Sequence, residues 1–198
     1  MIYERMVIIM LSKIQIEENR RQILNWLVTI DRKGMGELLN YMDDNDFFNA
    51  PASKSHHQNY PGGLAEHSLG VLLRTLTELK TVSGNNANIK TESIILSALL
   101  HDLCKIDQYI IEGEIKSGDR VTGYMISSNH NANWDHAEKS IRLATQFISL
   151  NDEELAAIRY HMGIYKKDYS WEEFGNAIKK YPLVYLIHVA DMKDTYEI

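Results

Sequence analysis

Cysteine is almost absent from this chain, since Cys104 is the single one among 198 residues. One cysteine excludes an internal disulfide and is typical of a reducing compartment, so we expect a cytoplasmic protein. Because Cys104 lies in an apolar segment, we interpret it as a buried structural thiol and not as a nucleophile. The fold must therefore be stabilised by its core, and the length is sufficient for one sizeable domain.

Positive charge and long apolar runs are also scarce. The chain has 21 lysines and arginines against 27 aspartates and glutamates, a formal net charge of −6. This balance argues against the broad basic surface that extended duplex nucleic acid requires. No apolar run reaches transmembrane length, and the short run at residues 6–11 lacks a cleavage site, so we expect neither a membrane partner nor a signal peptide. Whether translation starts at Met1 or Met10 stays open.

Helical periodicity dominates the rest of the sequence. Apolar residues spaced three and four apart, together with cap patterns, predict helices over residues 16–30, 36–42 and 64–80, and further helices that begin near residues 91, 135, 151, 170 and 182. Residues 106–127 differ, because aromatic and β-branched residues flank a turn at residues 116–119. This pattern predicts a β-hairpin excursion from an otherwise helical body.

The pair His101-Asp102 follows directly on the mostly apolar run of residues 94–100. We interpret that run as a buried central helix that carries the pair at or near its end. Adjacent side chains diverge on a helix but can both reach one ion beside it, and imidazole with carboxylate is a suitable ligand set for a divalent metal. A lone His-Asp pair is more often structural, so the rest of the chain must decide.

Other residues that can bind metal recur at helix ends or on apolar helix faces: His67, His136, His161 and Asp191. Charged groups in apolar surroundings are costly unless they are paired or bound to metal. His188 lies three residues before Asp191, where it either orients that carboxylate or packs. The long loop of residues 43–63 contains His56 and His57, which either contact a substrate or are solvated.

Taken together, these motifs resemble the HD-domain superfamily of metal-dependent phosphohydrolases, whose His … His-Asp … Asp pattern matches His67 … His101-Asp102 … Asp191. The resemblance covers roughly residues 45–196 and includes the Pro-Gly-Gly-Leu-Ala-Glu-His form that ends at His67. That form is similar to the HD domain of YhaM-type 3′–5′ exoribonucleases, although this chain has no room for their OB-type module. We do not expect cyclic-di-GMP to be the substrate. In the cyclic-di-nucleotide phosphodiesterases of this superfamily the histidines are in tandem and a Gly-Tyr-Pro signature follows, whereas here methionine follows His161 and no such signature is present.

The resemblance implies an all-α helical bundle, with residues 45–198 as the HD domain and residues 1–44 as N-terminal helices packed on it. It implies a divalent transition metal site of one or two ions, Mn, Fe, Ni, Co or Zn. The implied ligands are His67, His101, Asp102, His136, His161 and Asp191. Asp102 would bridge between an ion held with His67, His101 and Asp191 and a second ion held by the other two histidines.

The implied function is hydrolysis of a small phosphorylated substrate, a nucleotide or a short nucleic-acid end. Asp102 and Lys105 would be catalytic, with Lys105 on a phosphate oxygen, unless Lys105 is an ordinary surface lysine. His56 and His57 would add substrate contacts. Two alternatives stay open, a di-iron oxygenase built on the same ligand set and a metal-binding regulatory module without turnover. The oligomeric state is not indicated by the sequence.

Overall fold

The computed structural model describes residues 11–80, 88–111, 124–126, 134–164 and 170–198. Within these ranges the predicted all-α bundle is confirmed. Its α-helices are α1 (Lys13–Leu27), α2 (Met35–Asp44), α3 (Gly63–Leu79), α4 (Thr91–Leu100), α5 (His136–Ala144), α6 (Asp152–Arg159), α7 (Trp171–Lys180) and α8 (Leu183–Thr195). Short 3₁₀ helices lie at Asp46–Phe48 and Leu103–Lys105.

The predicted hairpin is present as two antiparallel strands, β1 (Tyr109–Ile111) and β2 (Tyr124–Ile126). Tyr109 pairs with Ile126, so the strands run back along each other in register. The predicted turn at residues 116–119 lies outside the described residues, as do Met1 and Met10.

The predicted cap patterns at two helix starts are confirmed. Asn151 with Glu154 and Ser170 with Glu173 form the predicted capping boxes of α6 and α7. The predicted helix over residues 16–30 differs from α1 at both ends, since α1 begins at Lys13 and ends at Leu27. Gly34 marks a close approach of two distant segments: the backbone carbonyl of Phe147 lies where a Cβ of Gly34 would be, and Gly34 has a φ of +87° that favours glycine.

The central helix is α4, as predicted. Every residue from Ser93 to Leu100 is buried, and the helix packs against α1, α3, α6 and α8. Burial on all sides explains why its sequence lacks an amphipathic period. Its C-terminal end brings His101 and Asp102 into the interior of the bundle, where both are buried.

A buried ion pair joins the segment before α2 to the bundle. The Arg32 guanidinium donates to both carboxylate oxygens of Glu154 at 2.8 and 3.0 Å, and it also contacts Glu92. Ser93 and Asn151 donate further hydrogen bonds to Glu154, whose side chain is fully buried. Every oxygen of this buried carboxylate is thus satisfied, which is the condition for such a pair to be stable.

We expect Glu154→Gln to lower the free energy of unfolding by about 3 kcal/mol at pH 7, because it removes the buried carboxylate from the ion pair and leaves Arg32 with Glu92 alone. Burial raises the pKa of Glu154, but hydrogen bonds from Arg32, Asn151 and Ser93 outweigh this and hold the pKa below its ordinary value. The stabilisation is therefore present above the ordinary glutamate pKa and is lost as the pH falls through the lower folded value.

Urea unfolding at a series of pH values measures this difference. Glu153→Gln is the matched control, since Glu153 lies in the same first turn of α6 and makes none of these contacts. An equal loss of stability in Glu154→Gln at pH 3 and pH 7 would contradict the ionic origin of the effect.

Candidate metal centre

Two groups of donor atoms meet at the inner ends of the helices, and they share Asp102. The first group is His67, His101 and Asp102, and the second is Asp102, His136 and His161. Within each group the ligand atoms lie within 4.8 Å of one another. The structure therefore brings together five of the six predicted ligands in these two groups.

Asp191, the sixth predicted ligand, lies beside the first group. Its Oδ1 atom is 3.2 Å from Nε2 of His67. Burial raises the pKa of Asp191, but the hydrogen bond to His67 and the surrounding imidazole charges outweigh it and lower that pKa below its ordinary value. Asp191 is thus an ionised carboxylate in a buried position, in contact with one ligand of the first group.

The distances between donor atoms fit coordination of an ion. Nε2 of His67 lies 3.2 Å from Nε2 of His101, which is 3.3 Å from Oδ2 of Asp102. Nε2 of His136 lies 3.0 Å from Nε2 of His161. Donors about 2.0–2.2 Å from one ion are about 2.8–3.6 Å from each other in octahedral or tetrahedral geometry. The contact of His161 with Asp102 Oδ1 is slightly longer, at 3.8 Å.

In His101 and His161 the hydrogen bond made by Nδ1 determines the tautomer, and so the state of the Nε2 atom that faces the other donors. Nδ1 of His101 lies 2.8 Å from the carbonyl oxygen of Ala98, and Nδ1 of His161 lies 2.7 Å from that of Ile158. A carbonyl oxygen can only accept, so Nδ1 carries the proton in both rings and Nε2 holds a lone pair. Buried lone pairs that face another imidazole nitrogen at this distance need a proton or a metal ion between them.

The protonation states of the second group suit a metal. Burial, followed by the charges of His101 and His136, lowers the pKa of His161 to about 3. Burial also lowers the pKa of His136. Both rings are therefore neutral at neutral pH, which is the form of histidine that ligates metals.

His67 differs from these two rings. Burial lowers its pKa, but hydrogen bonds to Asp191 and Asp194 outweigh that effect and raise the pKa to about 9. Without an ion, His67 is an imidazolium held between two carboxylates. Metal binding to its Nε2 atom must displace that proton, so uptake at this residue releases a proton.

One atom at the centre has no partner within the described part of the chain. Oδ2 of Asp102 lies 2.6 Å from Nζ of Lys105, whereas Oδ1 is buried and makes no hydrogen bond. Burial raises the pKa of Asp102, but Lys105 and His101 outweigh this and hold it well below its ordinary value. A buried carboxylate oxygen without a donor is costly. Its position between the two groups fits a bridging metal ligand.

Lys105 is held against the centre and not at the surface. Its side chain is 12% exposed, so the alternative of an ordinary surface lysine is wrong. Helix α4 ends at Leu100, and Lys105 belongs to the 3₁₀ helix that follows. The tighter turn still places the ammonium on the carboxylate of the residue three positions earlier.

The two loop histidines occupy different environments. The ring of His57 is centred 4.9 Å from that of His67, and both its nitrogens are buried without a hydrogen-bond partner among the described residues. Burial is the main cause that lowers the pKa of His57 to about 4. His56 is exposed, and no contact of its ring with the described residues brings it to the centre.

Two residues on α8 support ligand histidines in ways that the sequence patterns did not predict. His188 does not orient Asp191; its Nδ1 atom donates to the backbone oxygen of His161 at 2.6 Å and holds the turn that carries this ligand. Asp194 was not predicted at all, yet its Oδ2 atom lies 2.8 Å from Nδ1 of His67. The available signal was the spacing of three residues that places both on the face of Asp191.

No family model matches the chain, and no curated protein and no solved structure matches it either. Across the described ranges, no helix has the length and apolarity needed to cross a membrane. The structure thus defines a helical protein with a buried histidine–aspartate cluster whose donor set fits a metal ion.

We expect Asp102→Ala to abolish the uptake of both ions, because Asp102 contributes to both groups. His136→Ala or His161→Ala should chiefly reduce the second ion, since these residues belong to one group only. Elemental analysis of the purified variants measures the metal content per chain. His56→Ala is the control and should keep the wild-type content, whereas wild-type occupancy in Asp102→Ala would contradict the assignment.

Proposed function

We propose that this chain is a metal-dependent phosphohydrolase of the HD-domain superfamily that acts on a nucleotide or a short nucleic-acid end. The observation that carries the proposal is the convergence of His67, His101, Asp102, His136 and His161 in two groups that share one carboxylate. Asp191 completes the family pattern at His67. The order of the motifs along the chain supports the same family, and its commonest activity is hydrolysis of phosphoesters.

The donor set would hold divalent ions that lower the pKa of a bound water and withdraw charge from a phosphoryl group. The chain's own contribution is to hold four imidazoles and two carboxylates in place with their donor atoms facing inward. Two negative charges from Asp102 and Asp191 leave two divalent ions with net positive charge. A cationic centre of this kind favours an anionic phosphate over a neutral substrate.

Lys105 provides the second element of phosphate recognition. Burial lowers the pKa of its ammonium, but the contact with Asp102 outweighs this and raises the pKa above its ordinary value, so Lys105 stays charged. The ammonium has three donors, and Asp102 uses only some of them. In the proposed complex Lys105 would fix the orientation of Asp102, which belongs to both donor groups, and would donate to a non-bridging oxygen of the phosphoryl group.

His57 borders the centre on the side of the first group. Its two ring nitrogens are buried without a partner among the described residues, so a ligand that reaches them gains a hydrogen bond that the protein alone does not form. The low pKa keeps this ring neutral, with one donor and one acceptor. His57 therefore fits a polar substrate contact better than the exposed His56 does.

A panel of substrates tests the function. We expect metal-dependent release of phosphate or nucleoside monophosphate from mononucleotides or short single-stranded ends, and little activity on long duplex nucleic acid, because the net charge is −6. Turnover is compared across mononucleotides, oligonucleotides and duplex at several salt concentrations, with His161→Ala as the inactive control.

Three results would contradict this proposal. Tight duplex binding with a steep salt dependence would contradict the substrate size. Two irons per chain, an optical change on exposure to dioxygen and no phosphoester turnover would favour the di-iron oxygenase. Absence of both activities in a metal-loaded protein would favour a regulatory module.

We expect Lys105→Met to keep both metals while lowering phosphoester turnover by about 10²-fold, the scale of one lost preorganised electrostatic contact. The methionine side chain fills the same space without the charge. Lys179→Met is the control, since Lys179 is an exposed lysine on α7. Metal content, thermal unfolding and turnover are measured for each variant, and wild-type turnover in Lys105→Met would remove this residue from phosphate recognition.

A further inference from the structure

Asp194 is a buried carboxylate on α8 that accepts hydrogen bonds from three different side chains. Its Oδ2 atom accepts from Nδ1 of His67 at 2.8 Å and from Gln58 at 3.0 Å. Its Oδ1 atom accepts from Nε of Arg74 at 3.1 Å. Donors from α3 and from the preceding loop thus hold both oxygens, and the carboxylate has a single orientation toward His67.

His67 depends on this contact in a way that the other ligand rings do not. His101 and His161 place Nδ1 on the carbonyl three residues earlier in their own segment, so local backbone orients them. The Nδ1 atom of His67 instead reaches across from α3 to α8. The orientation of this ring is therefore a tertiary feature, and it can be changed by a substitution on the other helix.

Gly70 provides independent evidence that α3 leaves space for the carboxylate of Asp194. A Cβ added at residue 70 would overlap the Oδ1 atom of Asp194. Glycine inside a helix is destabilising relative to alanine, and α3 contains Gly70 in its interior. By contrast, nothing lies within 4 Å of a Cβ added at Gly36 or Gly175.

The chemistry of a carboxylate at Nδ1 differs from that of a carbonyl. Both acceptors keep the proton on Nδ1, so that Nε2 is the nitrogen available to an ion. The carboxylate also carries a negative charge, which raises the basicity of Nε2 as a metal ligand. Nε2 of His67 faces His101 and Asp191 at 3.2 Å each. A carboxylate in this position thus acts on the first group and has no contact with His136 or His161.

We propose that Asp194 is the positioning residue that sets the tautomer and orientation of His67 for metal binding, and that Gly70 is present to admit its carboxylate. This inference rests on the metal centre of the proposed function and assigns part of its affinity to a residue outside the ligand set. Arg74 and Gln58 support Asp194 by fixing its two oxygens.

Titration with Co²⁺ tests the proposal in the full chain. The His136→Ala background removes one donor from the second group, so Co²⁺ binding in this background measures the affinity of the first group. In that background Asp194→Leu should weaken Co²⁺ binding by about 10- to 100-fold, the scale reported for lost supports of metal ligands. Asp194→Asn should lose less, because its amide oxygen can still accept from Nδ1 without the charge.

Gly70→Ala provides a test that leaves the carboxylate in the chain. The added methyl group should displace Asp194 and weaken Co²⁺ binding, whereas Gly36→Ala should have no effect. The decisive comparison is Gly70→Ala in an Asp194→Ala background, where the methyl group no longer meets a carboxylate. We expect no further loss of affinity there. An undiminished loss would show that Gly70→Ala acts through the helix and would overturn this part of the proposal.

The tautomer itself is read from ¹⁵N NMR spectra of the histidine side chains in the Zn²⁺-loaded protein. We expect a protonated Nδ1 in His67 of the wild type and loss of that state in Asp194→Leu, while His101 and His161 keep theirs. Circular dichroism verifies the fold, and the isosteric Asp194→Asn serves if Asp194→Leu does not fold. Wild-type affinity and an unchanged His67 tautomer in the Asp194 variants would overturn the proposal. Neither readout requires turnover, so a failed phosphohydrolase assay leaves this test intact.

Discussion

The buried charge of Asp102 is the constraint on which the rest of the structure depends. Its carboxylate is 3% exposed, and a carboxylate removed from water is costly unless it is paired or bound to metal. Lys105 satisfies one oxygen, and the other has no partner among the described residues. The four ligand imidazoles lie around this group on α3, α5 and the segments that follow α4 and α6. The fold thus buries a carboxylate with one oxygen that makes no hydrogen bond to the described residues, and a metal cation is the natural partner of that oxygen.

In the bundle, helix ends carry most of the ligand histidines, and one continuous helix, α8, supports them. The residues after α4 and α6 point His101 and His161 inward, and the first residue of α5 is His136. Helix α8 instead passes the whole centre and contacts it at His188, Asp191 and Asp194, spaced three residues apart. One helix therefore supports both groups of donors, and its position against α3 determines the contacts with His67.

Much of this arrangement could be predicted from the sequence because the signals were local. An apolar run without periodicity predicted a buried helix before His101-Asp102, and capping boxes predicted the starts of α6 and α7. Contacts between distant segments could not be predicted, such as the approach of the Phe147 carbonyl to Gly34.

The supports of the centre were also beyond sequence patterns, for the same reason. Asp194 reads as an ordinary polar residue near the end of a helix, and only the approach of α3 to α8 gives it a role. His56 and His57 are equivalent in the sequence, yet the fold buries the ring nitrogens of His57 and leaves His56 exposed. Lys105 was predicted to contact a phosphate oxygen, and its contact with Asp102 through a 3₁₀ helix is seen only in the fold.

X-ray absorption spectroscopy of the Co²⁺-loaded protein reports the atoms around the ion, so it shows whether the histidine–aspartate cluster binds the metal. We expect a shell of nitrogen and oxygen donors with the outer scattering of several imidazole rings, and a second metal at about 3.5–4 Å when both groups are filled. A shell of oxygen alone, without imidazole scattering, would contradict it. So would failure of the folded chain to bind Co²⁺.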